Sequence, residues 1–106
     1  MSAIKGILRE EYERLLLLRQ NYISKMKILP KGSLIIKKRG EKKYLYLSYR
    51  NENGKVVSDY VGMFDEMNAE RFNSISDEIE LRKDLKKKYQ NVTRQIRELE
   101  RYVKEK

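Results

Sequence analysis

Apolar residues in the last quarter of the chain recur in a strict rhythm. Leu85, Tyr89, Val92, Ile96, Leu99 and Val103 follow one another at steps of four, three, four, three and four. This is the a/d spacing of a coiled coil, and the residues between are almost all charged or polar. A helix with such a stripe needs a second helix to cover it. The first quarter supplies one: Leu8, Leu15, Tyr22 and Leu29 repeat every seven, with Ile4, Tyr12, Leu18 and Met26 beside them. The pattern predicts an antiparallel pair in which Leu8, Leu15, Leu18, Tyr22 and Met26 face Leu85, Tyr89, Val92, Ile96 and Leu99.

The first helix is expected over residues 1–29, with Ser2 as its N-cap and its periodic part ending near Ile28. Pro30 stops it, because the residue before a proline avoids the helical region. Gly6 weakens the first turns by about 1 kcal/mol relative to alanine. The last helix is expected over 69–104, capped by Asn68, with Asp65 and Ser74 as alternative caps. Phe72, Ile75 and Ile79 extend its apolar side backwards until Arg82 interrupts it, so a break near Ser74–Asp77 stands as the alternative to one continuous helix.

Between the helices the period changes from seven to two. Ser33–Arg39, Lys42–Arg50 and Lys55–Val61 are rich in β-branched and aromatic residues and read as strands. Arg39-Gly40-Glu41 is a short turn, and Asn51-Glu52-Asn53-Gly54 ends in the Asn-Gly pair that favours hairpins. A three-stranded antiparallel meander over 33–61 follows, closed by Gly62, with Met63–Asn68 as connector. On the central strand Leu45, Leu47 and Tyr49 share one face and Tyr44, Tyr46 and Ser48 the other. The aliphatic face is expected to pack on a helix and close over one end of the helix pair; the tyrosine face stays free, with Tyr60 joining it. The fold class is therefore α+β: long helix, meander, long helix, in a single domain over 1–106.

Composition sharpens this picture. With 106 residues, 40% hydrophobic and 39% charged, the core is thin and suits an elongated molecule. A monomer and a homodimer are equally compatible with so long a seam. Cysteine and histidine are both absent, which excludes disulfides, the usual zinc sites and serine–histidine or cysteine–histidine catalysis. Nothing pairs a nucleophile with a base, so no enzyme is expected. Gly32-Ser33 lacks the ending of a phosphate-binding loop, and no cofactor is implied. Glu80 and Asp84 share a helix face near Asp77 and Glu78, but an open, solvated helix surface without histidine is a poor metal site. The longest aliphatic run, Leu15–Leu18, is too short to span a bilayer, and the first residues lack the shape of a signal peptide. A cytoplasmic protein without a membrane partner is expected.

The formal net charge is +9, and it is unevenly spread. Residues 31–62 hold eight basic and three acidic side chains, net +5; 65–80 hold six acids and one arginine, net −5; 82–97 hold seven basic residues and one acid, net +6. Lys37, Lys38, Arg39, Lys42 and Lys43 crowd the first turn, with Tyr44 and Tyr46 behind them. Lys86, Lys87, Lys88 and Arg94 form a second basic band. Cations with interleaved tyrosines suit nucleic acid: the cations neutralise phosphates and the rings stack on bases. A basic ribbon tip also fits a major groove. The plainer account is that lysines guard short strands against edge pairing and line the solvated side of a coiled coil. An acidic partner protein is the alternative to nucleic acid, with the exposed tyrosines as anchors.

The segments Leu29-Pro30-Lys31-Gly32-Ser33-Leu34, Tyr44–Arg50, Gly54-Lys55-Val56 and Tyr60-Val61-Gly62 resemble a group of small bacterial and phage-type proteins with a leading helix, such a β core and a charged helix behind. The β core is also similar to the DNA-binding arms of some transposases and tyrosine recombinases. The resemblance implies a mobile-element setting and a role as DNA-binding accessory factor, antitoxin or small inhibitor of a defence enzyme. No recombinase or transposase catalytic portion accompanies it.

Overall fold

The computed structural model describes residues 3–103. Helix α1 spans Ala3–Lys27; strands β1 (Ser33–Arg39), β2 (Lys42–Arg50) and β3 (Val56–Met63) follow; a 3-10 turn, Glu66–Asn68, leads directly into helix α2, Ala69–Val103. The protein is α+β, as the change of period predicts. The expected Ser2 cap and the end of the last helix at residue 104 lie outside the described residues. The chain sorts into two compact units: residues 1–28 with 83–106, and residues 29–82.

The first unit is the helix pair. Its centre is Leu15, Val92 and Ile96, with Tyr12, Leu16, Leu18, Tyr22 and Leu99 packed around them. Leu15 is 2% exposed and Ile96 1%. Each such side chain contributes about 1.5–3 kcal/mol by leaving water. The orientation follows from two polar contacts. An Arg9 guanidinium nitrogen lies 3.4 Å from the Val103 carbonyl, and the Tyr12 hydroxyl 3.5 Å from Glu100 Oε1. Advancing three residues on α1 retreats three on α2, so the helices run antiparallel. The rhythm on α2 is respected closely: Leu85, Val92 and Ile96 are buried, Tyr89, Leu99 and Val103 half-buried, and Lys86–Lys88 exposed. The Thr93 hydroxyl, on the edge of the seam, is buried without a hydrogen-bond partner.

Two expectations for α1 need correction. Ile4 is 68% exposed rather than in the seam. Arg9 already lies against Val103, so no described residue of α2 lies opposite Ile4. Leu29 is no part of the helix, which ends at Lys27. Within the leucine run, Leu15 is buried and Leu17 points to solvent, because four consecutive residues circle a helix.

In the second unit the sheet order is β1-β2-β3, antiparallel throughout. Arg39 pairs with Lys42 across a two-residue loop, Gly40-Glu41. Gly40 has φ +63° and Glu41 a negative φ, which makes a type II′ turn with glycine first. The second hairpin uses a different device. Gly54 N–H donates to the Asn51 carbonyl (3.0 Å), Asn51 N–H to the Lys55 carbonyl (2.9 Å), and Gly54 has φ +79°. Asn53-Gly54 is thus the end of a three-residue loop with a left-handed glycine. The Asn51 side-chain oxygen accepts from the amides of Asn53 and Lys55, both at 3.0 Å, fixing the loop from inside.

Strand β3 continues beyond Gly62, the expected end, because a bulge lengthens it. Tyr46 pairs with Tyr60 but Leu45 with Gly62, leaving Val61 as an extra residue. Phe64 N–H then donates to the Lys43 carbonyl at 2.8 Å. Asp65, not Asn68, provides the cap: its carboxylate accepts from Asn68 N–H at 3.0 Å and it begins the 3-10 turn. Asn68 instead donates its side-chain amide to the Met63 carbonyl at 2.6 Å. α2 then runs without a break through Ser74–Asp77. Its first part is tied down at two places within this unit. The Phe72 ring meets Phe64 edge-on at 5.3 Å, and Arg82 donates to the Leu29 carbonyl at 2.8 Å. Leu45 and Ile79 are the buried side chains of this unit.

Candidate nucleic-acid interface

The register of the first hairpin decides where its cations go. Directly paired residues share a face, and faces alternate along each strand. Arg39 opposite Lys42 and Lys37 opposite Tyr44 lie with Tyr46 and Tyr60 on one face. Lys38 opposite Lys43 lies on the other, with Leu45, Leu47 and Tyr49. The expected basic cluster is therefore split: Lys37, Arg39 and Lys42 belong to the tyrosine face, and Lys38 and Lys43 to the aliphatic face. All five are exposed.

Two of these cross-strand pairs, Arg39–Lys42 and Lys38–Lys43, set like charges against each other. Such pairs destabilise a hairpin by a few tenths to about 1 kcal/mol. Among the described residues no ion pair joins any of the four to a carboxylate.

On the tyrosine face the rings form a cluster. Tyr46 and Tyr60 stand edge-to-face with centroids 5.6 Å apart; Tyr44 and Tyr60 are 6.3 Å apart at 52°. Tyr60 remains 59% exposed. Tyr60 touches both neighbours because it pairs directly with Tyr46 and lies diagonal to Tyr44 on the same face. Lys37 Nζ lies 4.6 Å from the Tyr46 ring centroid, a cation–π contact. Arg39, Tyr44, Tyr46 and Tyr60 line an open concavity of about 360 Å³. On the other face the Tyr49 hydroxyl donates to Asp59 at 2.9 Å, which raises the phenol pKa above its ordinary value by holding the proton against a carboxylate.

Lys86, Lys87, Lys88 and Arg94 belong to the helical unit, where all four are exposed on α2. Arg94 lines a second concavity of about 340 Å³ with Tyr89, Gln90, Thr93 and Arg97. Arg39 is drawn into the ring cluster only by the II′ turn. Tyr60 takes its central place by pairing directly with Tyr46, on the face that alternation gives it. The sequence pattern marks both turns but not the pairing each imposes. Among the described residues, no three carboxylates gather closely enough to hold a metal ion, and no helix is long and apolar enough to cross a membrane.

Neither a curated protein nor a solved structure matches this chain. A family described as Domain of unknown function (DUF6788) matches residues 1–66. That span takes in α1, both hairpins and the whole ring cluster, and stops before α2 and the Lys86–Lys88 band. With more than half of its length inside that match, the chain belongs to the DUF6788 family.

Proposed function

We propose that this is a non-enzymatic nucleic-acid-binding protein that engages DNA through the tip and tyrosine face of its first hairpin. The observation that carries this reading is the pair of opposed cations on each face of the tip, Arg39–Lys42 and Lys38–Lys43. A hairpin that needed only solubility would place an acid in each pair and gain stability. A polyanion removes the mutual repulsion and releases its own counterions on binding. The tip meets phosphates on both of its faces, and Lys37, Tyr44 and Tyr46 extend the contact along one of them. Lys86, Lys87, Lys88 and Arg94 supply a second, weaker patch on α2.

The test is a fluorescence anisotropy titration with short labelled DNA at about 50 and 200 mM salt, where a protein touching many phosphates loses orders of magnitude in affinity. Replacing Lys38, Arg39, Lys42 and Lys43 by alanine weakens binding to every sequence and flattens the salt dependence. Unaltered binding in that variant removes the hairpin from the site. No binding by the intact protein at the lower salt overturns the nucleic-acid reading, and a stable complex with an acidic protein would then take its place.

A further inference from the structure

We infer that the tyrosine face is a seat for the unpaired bases of single-stranded DNA; this rests on the nucleic-acid reading above and names the form of nucleic acid. In a duplex the base faces are hidden in the stack, and a protein meets groove edges and phosphates. Flat aromatic rings are useful only to bases whose faces are open. The hairpin offers such rings in a group: Tyr60 touches both Tyr44 and Tyr46 and is 59% exposed.

The surroundings match a single strand in charge as well as shape. Arg39 is part of the same concavity, and Lys37 lies over the Tyr46 ring. Phosphates of a strand crossing the face meet these two cations while its bases meet the rings. Because the Lys37 ammonium already covers Tyr46, the stacking partners are Tyr44 and Tyr60. None of the groups lining the concavity requires a ribose 2′-hydroxyl, so single-stranded DNA suffices as its occupant, and RNA is the comparison that tests this.

The two kinds of contact divide the labour in a way that mutations separate. Base stacking is insensitive to salt, whereas phosphate contacts follow it steeply. Tyr60 is exposed, so its replacement leaves the fold intact, which circular dichroism verifies.

The experiment compares a labelled single-stranded dodecamer, the same sequence as duplex, and its RNA counterpart, at about 200 mM salt to suppress purely electrostatic binding. The expected order is single-stranded DNA tighter than duplex by tenfold or more, with RNA no tighter than DNA. Tyr60→Ala then loses roughly five- to a hundredfold on the single strand, the range for one lost stack. Its salt slope stays unchanged, duplex binding falls by less than single-strand binding, and Tyr60→Phe binds like the parent. Equal affinity for duplex and single strand, with no effect of Tyr60→Ala while the four-alanine tip variant still weakens binding, overturns this inference and leaves the nucleic-acid reading standing. RNA binding tighter by tenfold overturns the assignment to DNA. No binding to any of the three, even at about 50 mM salt, overturns both.

Discussion

Among the described residues, four side chains of the helical unit, Leu15, Leu85, Val92 and Ile96, are buried; in the sheet unit Leu45 and Ile79 are. The helix pair is held by a repeated seam, in which each turn adds another apolar contact. The sheet unit relies more on backbone devices: left-handed glycines at 32, 40 and 54, the Asn51 side chain inside its loop, and Arg50 donating to the Gly54 carbonyl at 2.8 Å. A unit organised by local backbone chemistry does not need both faces of its sheet for a core. It keeps one face, with three tyrosines and a basic tip, for something else. The candidate interface therefore sits on the thinner-cored unit because that is where apolar surface is not consumed by packing.

The sharpest way to break the comparison is to insert a charge where each unit is supposed to be strong or tolerant. Ile96→Asp puts an unpaired carboxylate at a site 1% exposed and should cost about 4 kcal/mol, unfolding the helix pair. Met67→Asp, at a fully solvated side chain of the sheet unit, should change stability by no more than about 0.5 kcal/mol. Circular dichroism and thermal melting read both. An Ile96→Asp protein that melts like its parent would remove the seam as the source of stability.

The next largest effect should come from a residue with no side chain. Gly32 has φ +108°, and a Cβ there would run into the Ser48 carbonyl oxygen and sit 2.9 Å from Tyr49 Cβ. Gly32→Ala must therefore move backbone on β2 as well as adopt an unfavourable φ, at about 3 kcal/mol. Gly6 is the contrast: it lies within α1 with nothing near its missing Cβ, so Gly6→Ala should stabilise by about 1 kcal/mol. Chemical denaturation of the two variants tests whether glycine serves the sheet unit and merely burdens the helical one. Equal shifts in the same direction would dissolve the distinction.

How much of this was legible beforehand follows the same division. The seam on α2 was readable residue by residue, because one period determines which side chains face the partner. The three strands and the grouping of Tyr44, Tyr46 and Tyr60 were readable too, since alternation is as regular as the heptad. What depends on single backbone events was not. The II′ turn at Gly40 sets the register that sends Lys38 and Lys43 to one face and Arg39 and Lys42 to the other. The extra residue Val61 carries β3 on to Met63. Arg82 looked like a flaw in the apolar stripe, yet it donates to the Leu29 carbonyl just before Pro30. Charge and period say nothing about such a contact, because its partner is a backbone oxygen 53 residues away.

The smallest effect concerns pH and again separates the units. The Tyr49–Asp59 hydrogen bond joins β2 to β3 on the aliphatic face, and it holds the phenol proton so that the pKa of Tyr49 is raised, first by that bond and then by the carboxylate's charge. A raised folded-state pKa means the folded protein keeps a proton that the unfolded chain has lost. The contribution is therefore fully present below the ordinary phenol pKa of about 10 and fades as pH climbs through the higher folded value. Phenolate absorbance should show one tyrosine titrating late in the parent protein and at a more ordinary pH in Asp59→Asn. Tyr12 makes the corresponding cross-element contact in the helical unit, half-buried beside the seam with its hydroxyl 3.5 Å from Glu100 Oε1. If the late-titrating phenol persists in Asp59→Asn, the Asp59 carboxylate is not what holds the Tyr49 proton, and the strands are joined on that face by ladder pairs such as Tyr49–Val57 and Leu47–Asp59.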